Sequence, residues 1–349
     1  MYGVYIKPDI GNAYYLDSDD NQIMGFLGSA KIGWYNNYFY PINKGWNRMK
    51  HGIPEYEKYN IIIVPRTISR TYKIPGSYYW FSSNVTDYNI DGEYFNFYVD
   101  EEPAGSRNLS SEDSDYDPEF MFDFYGYPKS NNESWGIRLH GMNGISELTP
   151  SMRGYCVFAE VVKINGGRDN GWRIPSHITS DMNPVIFARP KNSNALFSYN
   201  NARGLVVNNS CEMYVVIFCT NFKLEPPKNG IVIYNDKKEI TFSSNYKPMK
   251  LGETTWFSKR NGASFSKLQK PMIIPDAQFV NWKIEGRNRD DVVYKRTGFG
   301  FMDDGNRVYW DDIYAIGSEY GGPYGAYGGN AFKIEFNIYG IELSDYFNI

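Results

Sequence analysis

Helix-forming residues are scarce in this chain. Of its 349 residues, Ala and Leu together supply only 23, whereas Tyr supplies 31, Phe 22, Gly 33 and Asn 34. Strand-forming aromatics and turn residues therefore dominate where helix formers would be needed. Sustained 3.6-residue apolar periodicity and heptads are also missing, which excludes a coiled-coil stalk. The expected class is all-β with little helix.

Other shortages narrow the function. No apolar stretch reaches the roughly 18 residues of a membrane span, so no membrane insertion is expected. The N-terminus lacks a basic region followed by an apolar segment, and its first strand already carries Lys7 and Pro8. The chain is thus expected to fold in the cytosol of the cell that makes it. Net charge is −4, with basic residues scattered along the sequence. That is not the footprint of a nucleic-acid binder. Cysteine is sparse and odd in number: Cys156, Cys211 and Cys219. They suit buried free thiols better than a disulfide framework or a zinc site, and Cys211 and Cys219 share a parity that turns both toward a core. The three histidines, His51, His140 and His177, lie far apart. Zincin, nucleophile-elbow, phosphate-loop and dinucleotide fingerprints are missing, so no metal, cofactor or catalytic residue is assigned.

What the sequence does contain is a pattern written three times. The copies open at Tyr2-Gly3-Val4-Tyr5-Ile6, Trp135-Gly136-Ile137-Arg138-Leu139 and Asn229-Gly230-Ile231-Val232-Ile233. In each, a Gly precedes an alternating apolar strand, a turn follows, and a second short strand places its apolar residue, Leu16, Leu148 or Phe242, 12 or 13 positions after the Gly. Later in each copy comes an apolar run with Pro: Ile61 to Pro65, Pro184 to Phe187, and Pro271 to Pro275. The outer copies close on nearly the same strand, Phe122-Asp123-Phe124-Tyr125-Gly126 and Phe336-Asn337-Ile338-Tyr339-Gly340, and the middle one on Tyr214 to Phe218. A repeat of about a hundred residues points to related domains rather than a solenoid of short units.

Polar, turn-rich segments around Tyr127 to Asn132 and Leu224 to Lys228 mark the joints. The expectation is three tandem antiparallel β-sandwich domains at 1–128, 133–224 and 228–349, with Gly3, Gly136 and Gly230 at equivalent positions. Trp34 and Trp256, matching positions in their copies, are expected in core or inter-unit packing.

The variable segments carry the candidate site. The first copy has an acidic stretch, Asp100 to Asp115; the third has a Tyr/Gly loop from Gly317 to Gly329. Tyr offers flat contact area with a hydroxyl at modest entropic cost, and Gly lets backbone conform to a partner. Tyr309, Trp310, Tyr320, Tyr324 and Tyr327 are the residues expected to touch a partner or receptor. The one constellation with a catalytic alternative is acidic: Asp303-Asp304 and Asp311-Asp312, near Tyr309 and Trp310. Glycoside hydrolysis needs two carboxylates flanking the scissile bond. Asp303-Asp304-Gly305-Asn306 reads more simply as a hairpin turn between Phe299-Gly300-Phe301 and Val308-Tyr309-Trp310. It lacks the spacing of a recognised calcium loop.

At Tyr2 to Ser18 and Gly230 to Ser244, the Gly, apolar alternation, turn and Asp-Ser or Ser-Ser pair resemble tail proteins of tailed bacteriophages. The middle copy departs, with Thr149-Pro150 in place of that pair. The resemblance covers the start of each copy. It implies a non-enzymatic virion structural protein at the tail tip or in a fibre, an assembly or host-adhesion module. Its partners would be other tail proteins and a host surface receptor or glycan, and it would work as a homo-oligomer. The competing reading is a carbohydrate-binding or glycan-cleaving surface protein.

Overall fold

The computed structural model describes residues 3–7, 14–17, 23–33, 45–73, 80–102, 119–129, 137–140, 145–148, 154–191, 194–200, 203–235, 237–250, 252–258, 260–275, 280–284, 291–302, 305–320 and 335–348. Among them every sheet is antiparallel, and the helical elements are three 3-10 turns of three residues each. The all-β expectation is met.

Four sheets carry the mass. Sheet I runs in the order Gly45–Lys50, Tyr94–Glu102, Trp80–Asp91, Ser69–Lys73. Sheet II has Glu119–Pro128 between Gly25–Gly33 and Tyr59–Thr67. Sheet III has six strands, in the order Tyr155–Ile164, Cys211–Cys219, Val185–Pro190, Pro271–Ile273, Glu335–Glu342, Glu253–Ser258. Sheet IV orders Gly204–Val207, Phe197–Asn200, Asp291–Phe301, Arg307–Tyr320, Ala263–Ser264, with Val280–Ile284 also pairing to Asp291–Phe301.

The similar strings of sequence correspond to a recurring strand triplet. In sheet II the segment's closing strand, Glu119–Pro128, lies between its two earlier strands. Sheet III holds the same order twice: Cys211–Cys219 lies between Tyr155–Ile164 and Val185–Pro190, and Glu335–Glu342 between Glu253–Ser258 and Pro271–Ile273. A separate two-stranded hairpin opens each segment: Gly3–Ile6 with Tyr14–Asp17, Ile137–His140 with Ile145–Leu148, and Val232–Tyr234 with Ile240–Ser243. Val4 faces Leu16 and Ile137 faces Leu148, but in the third hairpin Phe242 faces Ile233, two residues further on. There Ser244 exchanges bonds with Ile231, its amide donating to the Ile231 carbonyl and its Oγ accepting from the Ile231 amide. Gly136 lies outside the described residues.

Alternation along each strand builds the layers. Phe120, Phe122 and Phe124 of sheet II turn toward Phe95, Phe97 and Val99 of sheet I. Val64 and Tyr125 turn the other way, toward Val185, Phe187, Val216, Phe218 and Tyr339 of sheet III. The opposite face of sheet III offers Ile186, Ala188, Val215, Ile217 and Phe336 to Phe197, Leu205, Phe299 and Val308 of sheet IV. Sheets II and III are thus covered on both faces, which is why their strands carry near-continuous apolar stretches such as Val185-Ile186-Phe187-Ala188.

The expected string of separate sandwiches is corrected here. The four sheets form a four-bladed, propeller-like arrangement instead. Strands of the second and third segments are hydrogen-bonded neighbours in both sheets, at Ala188 against Ile273 and Phe197 against Phe299. Unpaired strand edges expose backbone donors and acceptors, and joining the two segments edge to edge removes four of them. Arg189 reinforces the seam, donating from Nη1 to the carbonyls of Pro271 (2.9 Å) and Gly305 (2.7 Å). Trp256 is a second correction: it sits on the terminal strand of sheet III, 49% exposed, rather than in a core. Trp34 lies outside the described residues.

Candidate functional site

The third hairpin builds a cleft against the chain that precedes it. Its turn is fixed by one side chain: Asn235 Oδ1 accepts from the amides of Lys237 (3.0 Å) and Glu239 (2.9 Å), and its Nδ2 donates to Glu239 Oε2 (2.8 Å). Lys238 closes the turn at φ 61°, the left-handed conformation that follows such a bend. The facing wall is residues 220–224. Thr220 and Asn221 donate their amides to the Met182 carbonyl, and Asn221 Nδ2 donates to the Asp181 carbonyl at 2.8 Å.

Between these walls lies a cavity of about 520 Å³, lined by Tyr155, Phe222, Leu224, Ile240 and Thr241 below and by Lys223, Tyr234, Lys238 and Glu239 toward solvent. The floor is a small core of its own, in which Ile6, Ile23, Tyr155, Leu224 and Phe242 are buried together. Tyr155 donates its hydroxyl to the Thr241 carbonyl, pinning the hairpin to the first strand of the second triplet. Phe222 meets Tyr246 edge to face, with ring centroids 5.3 Å apart. Burial, followed by the neighbouring Glu225 charge, raises the Tyr246 hydroxyl's pKa. The cleft thus joins an apolar floor to a rim carrying both charge signs. Its described lining holds no His or Cys.

The residues singled out in the sequence lie elsewhere. Tyr309 and Trp310 occupy strand Arg307–Tyr320, opposite Gly300 and Phe299. Tyr309 is half-buried on the outer face, its ring over Gly300, where an added Cβ would lie 2.6 Å from the ring; its hydroxyl donates to the Asn194 carbonyl at 3.1 Å. This explains the alternation Gly298-Phe299-Gly300-Phe301: the Phe side chains fill the core, and the glycines leave room outside. Trp310 packs inward against the core. Asp311 is exposed, with Oδ1 accepting from the Asp312 amide at 2.8 Å. As successive strand residues the two carboxyl groups leave on opposite faces, so they do not converge. Tyr320 ends the strand, its backbone paired with Asp291; the strand therefore runs through Gly317, where the sequence placed the start of a loop. Tyr324 and Tyr327 lie outside the described residues, as do Asp303 and Asp304.

Among the described residues no group of three or more His, Cys, Asp or Glu is placed to hold a metal ion. None of the three cysteines is in a disulfide. Cys156 and Cys219 are each pushed up to about 12, first of all by burial, which keeps them thiols at neutral pH. His51 is a structural residue: Nε2 bonds the Gly92 carbonyl at 3.0 Å, and Nδ1 accepts from the Ile53 amide at 3.0 Å. Sequence reasoning missed the cleft. Its legible signals were the Asn235 to Glu239 turn and the apolar alternation that builds its floor.

The molecule is thus an all-β protein of stacked sheets with a hairpin-walled cleft. A family model described as a family of unknown function (DUF6453) matches residues 56–276, well over half of the 349, and the chain belongs to that family. The matched span begins at the 3-10 turn Tyr56–Lys58 and ends just after Pro271–Ile273, crossing all three segments. Comparison with curated proteins and with solved structures gave no match.

Proposed function

We propose that this chain is a non-enzymatic structural protein of a bacteriophage tail, an assembly or host-adhesion module of the virion that works as a homo-oligomer. The observation that carries the reading is the threefold strand triplet with its opening hairpins. Three copies of one frame are locked into doubly covered sheets, while each hairpin stands apart as a two-stranded unit. Such a construction places rigidity in the sheets and leaves hairpins and loops to vary, which suits contact with other tail proteins. The tail-protein resemblance falls on these same hairpins. In this reading the cleft beside the third hairpin and the outer face at Tyr309 are contact surfaces, and the Tyr320 to Tyr327 segment reaches a receptor.

The test is mass spectrometry and immunogold labelling of purified virions from the producing phage. Stoichiometric recovery with label at the tail supports the reading. Recovery only from the soluble fraction of infected cells, with clean particles, overturns it.

A further inference from the structure

The outer face of sheet I carries a side-chain arrangement that neither the sequence reading nor the tail reading uses. Strand Tyr94–Glu102 buries Phe95, Phe97 and Val99, so Tyr94, Asn96 and Tyr98 point outward. Pairing on both sides sets these residues into three rows. Trp46, Tyr98 and Asp87 form one; Arg48, Asn96 and Asn89 the next; Lys50, Tyr94 and Asp91 the third. Strand neighbours on one face are about 6.6 Å apart and rows cross strands at about 4.8 Å, so the platform extends about 13 Å from Tyr98 to Tyr94.

The platform is ordered. Trp46 is 54% exposed and meets Tyr98 edge to face, centroids 5.6 Å apart. The Arg48 guanidinium lies 3.6 Å from the Tyr94 ring centroid, with Nη2 3.9 Å from Asp91 Oδ2. Asn96 Nδ2 donates to Asn89 Oδ1 at 2.9 Å, and Lys50 Nζ to Glu93 Oε2 at 3.0 Å. A large exposed indole beside amides, carboxylates and a clamped guanidinium gives apolar ring area bordered by hydrogen-bonding groups of both kinds.

We infer that this face binds an extended, uncharged oligosaccharide. Trp46 and Tyr98 would cover the C–H face of a sugar ring, while Asp87 and Asn89 accept from hydroxyls and Arg48 and Asn96 donate to them. The platform's acids, Asp87, Asp91 and Glu93, outnumber its cations, Arg48 and Lys50, which favours a neutral ligand over an acidic one. A protein partner fits less well. Lys50, Asp87, Asp91 and Glu93 are residue types depleted from protein interface cores, and stripping water from them is costly. A hydroxyl-rich ligand replaces that water in kind.

The experiment uses the full chain on an array of neutral oligosaccharides built from hexoses and N-acetylhexosamines, followed by Trp fluorescence titration of the strongest array member. Trp46→Ala should weaken binding about tenfold or more, equivalent to ~1.4 kcal/mol. Trp46→Phe should recover part of the loss. Trp256→Ala, which removes an exposed indole on sheet III, should leave affinity unchanged. Circular dichroism checks folding, and if Trp46→Ala fails to fold, Arg48→Gln decides by the same titration. The inference is overturned by an array without signal, by binding indifferent to the Trp46 and Arg48 changes, or by binding lost equally in Trp256→Ala. This readout is independent of whether the chain is found in virions.

Discussion

Arg66 and Asp123 form an ion pair within sheet II, on the face that packs against sheet III, with Nη1 3.2 Å from Oδ2 and side chains only 12% and 1% exposed. The pair is part of a chain of bonds: Ser29 donates to Asp123 Oδ1 at 2.6 Å, and Arg66 Nη2 donates to the Pro184 carbonyl of the second segment at 2.9 Å. It therefore ties the first segment to the second at the entrance to strand Val185–Pro190. Asp123→Ala leaves the Arg66 guanidinium buried without its carboxylate, and removing one partner of a buried pair costs about 3 kcal/mol or more. Denaturant unfolding should show this loss, with a smaller loss for the double variant Arg66→Met/Asp123→Leu. A larger loss in the double variant, equal to the sum of the two single-variant losses, would mean that the charges act independently.

Gly126 and Gly340 end the matching Tyr-Gly strings of the central strands in sheets II and III. A Cβ on Gly340 would lie 2.7 Å from the Phe265 ring and 3.2 Å from Leu268; on Gly126 it would lie 2.6 Å from Leu27 and 3.1 Å from the Asn60 carbonyl oxygen. Overpacking of this kind costs about 1–3 kcal/mol. Either Gly→Ala variant should lower Tm, measured by calorimetry. An unchanged Tm would show that Phe265 or Leu27 moves aside freely.

Tyr155 holds the third hairpin through its bond to the Thr241 carbonyl. Tyr155→Phe should cost about 1 kcal/mol globally. Its stronger signature should be faster amide exchange at Val232–Tyr234 and Ile240–Ser243, with sheet IV unaffected. Uniform acceleration across all sheets would show that the hairpin is part of one cooperative unit.

Lys247 is lowered from its ordinary 10.5 to about 8, chiefly by burial and then by the charge of Lys250. Its Nζ lies 5.1 Å from the Tyr346 ring centroid, and Asp345 opposes the shift. Between about 8 and 10.5 the unfolded chain binds more protons at this site than the folded one, so this contribution rises with pH. Below about 8 the full cost of burying the ammonium remains. Lys247→Met should therefore be more stable than the parent at pH 7, and the advantage should shrink as pH approaches 10. A constant advantage across that range would assign it to packing alone.

The class of the fold was legible because it rests on local chemistry. Few Ala and Leu residues, many aromatics and Gly/Asn turns leave the chain little to form except strands, and similar strings at Gly3, Gly136 and Gly230 each precede a hairpin strand. The inward parity of Cys211 and Cys219 was legible too, since alternation is a property of the strand itself. The cleft was not. Its two walls are contiguous in sequence, but their approach is set by Tyr155, distant along the chain.

By itself, then, the sequence determined strand character, hairpins and the recurring order of strings, all short-range consequences of residue type. Tertiary structure decided which edges meet and which faces stack: Ala188 beside Ile273, Tyr125 in the same core as Tyr339, Trp256 turned outward. An apolar face states that it will be covered but not by what. The cover is chosen by edge pairing and shape among distant segments, which no local period encodes.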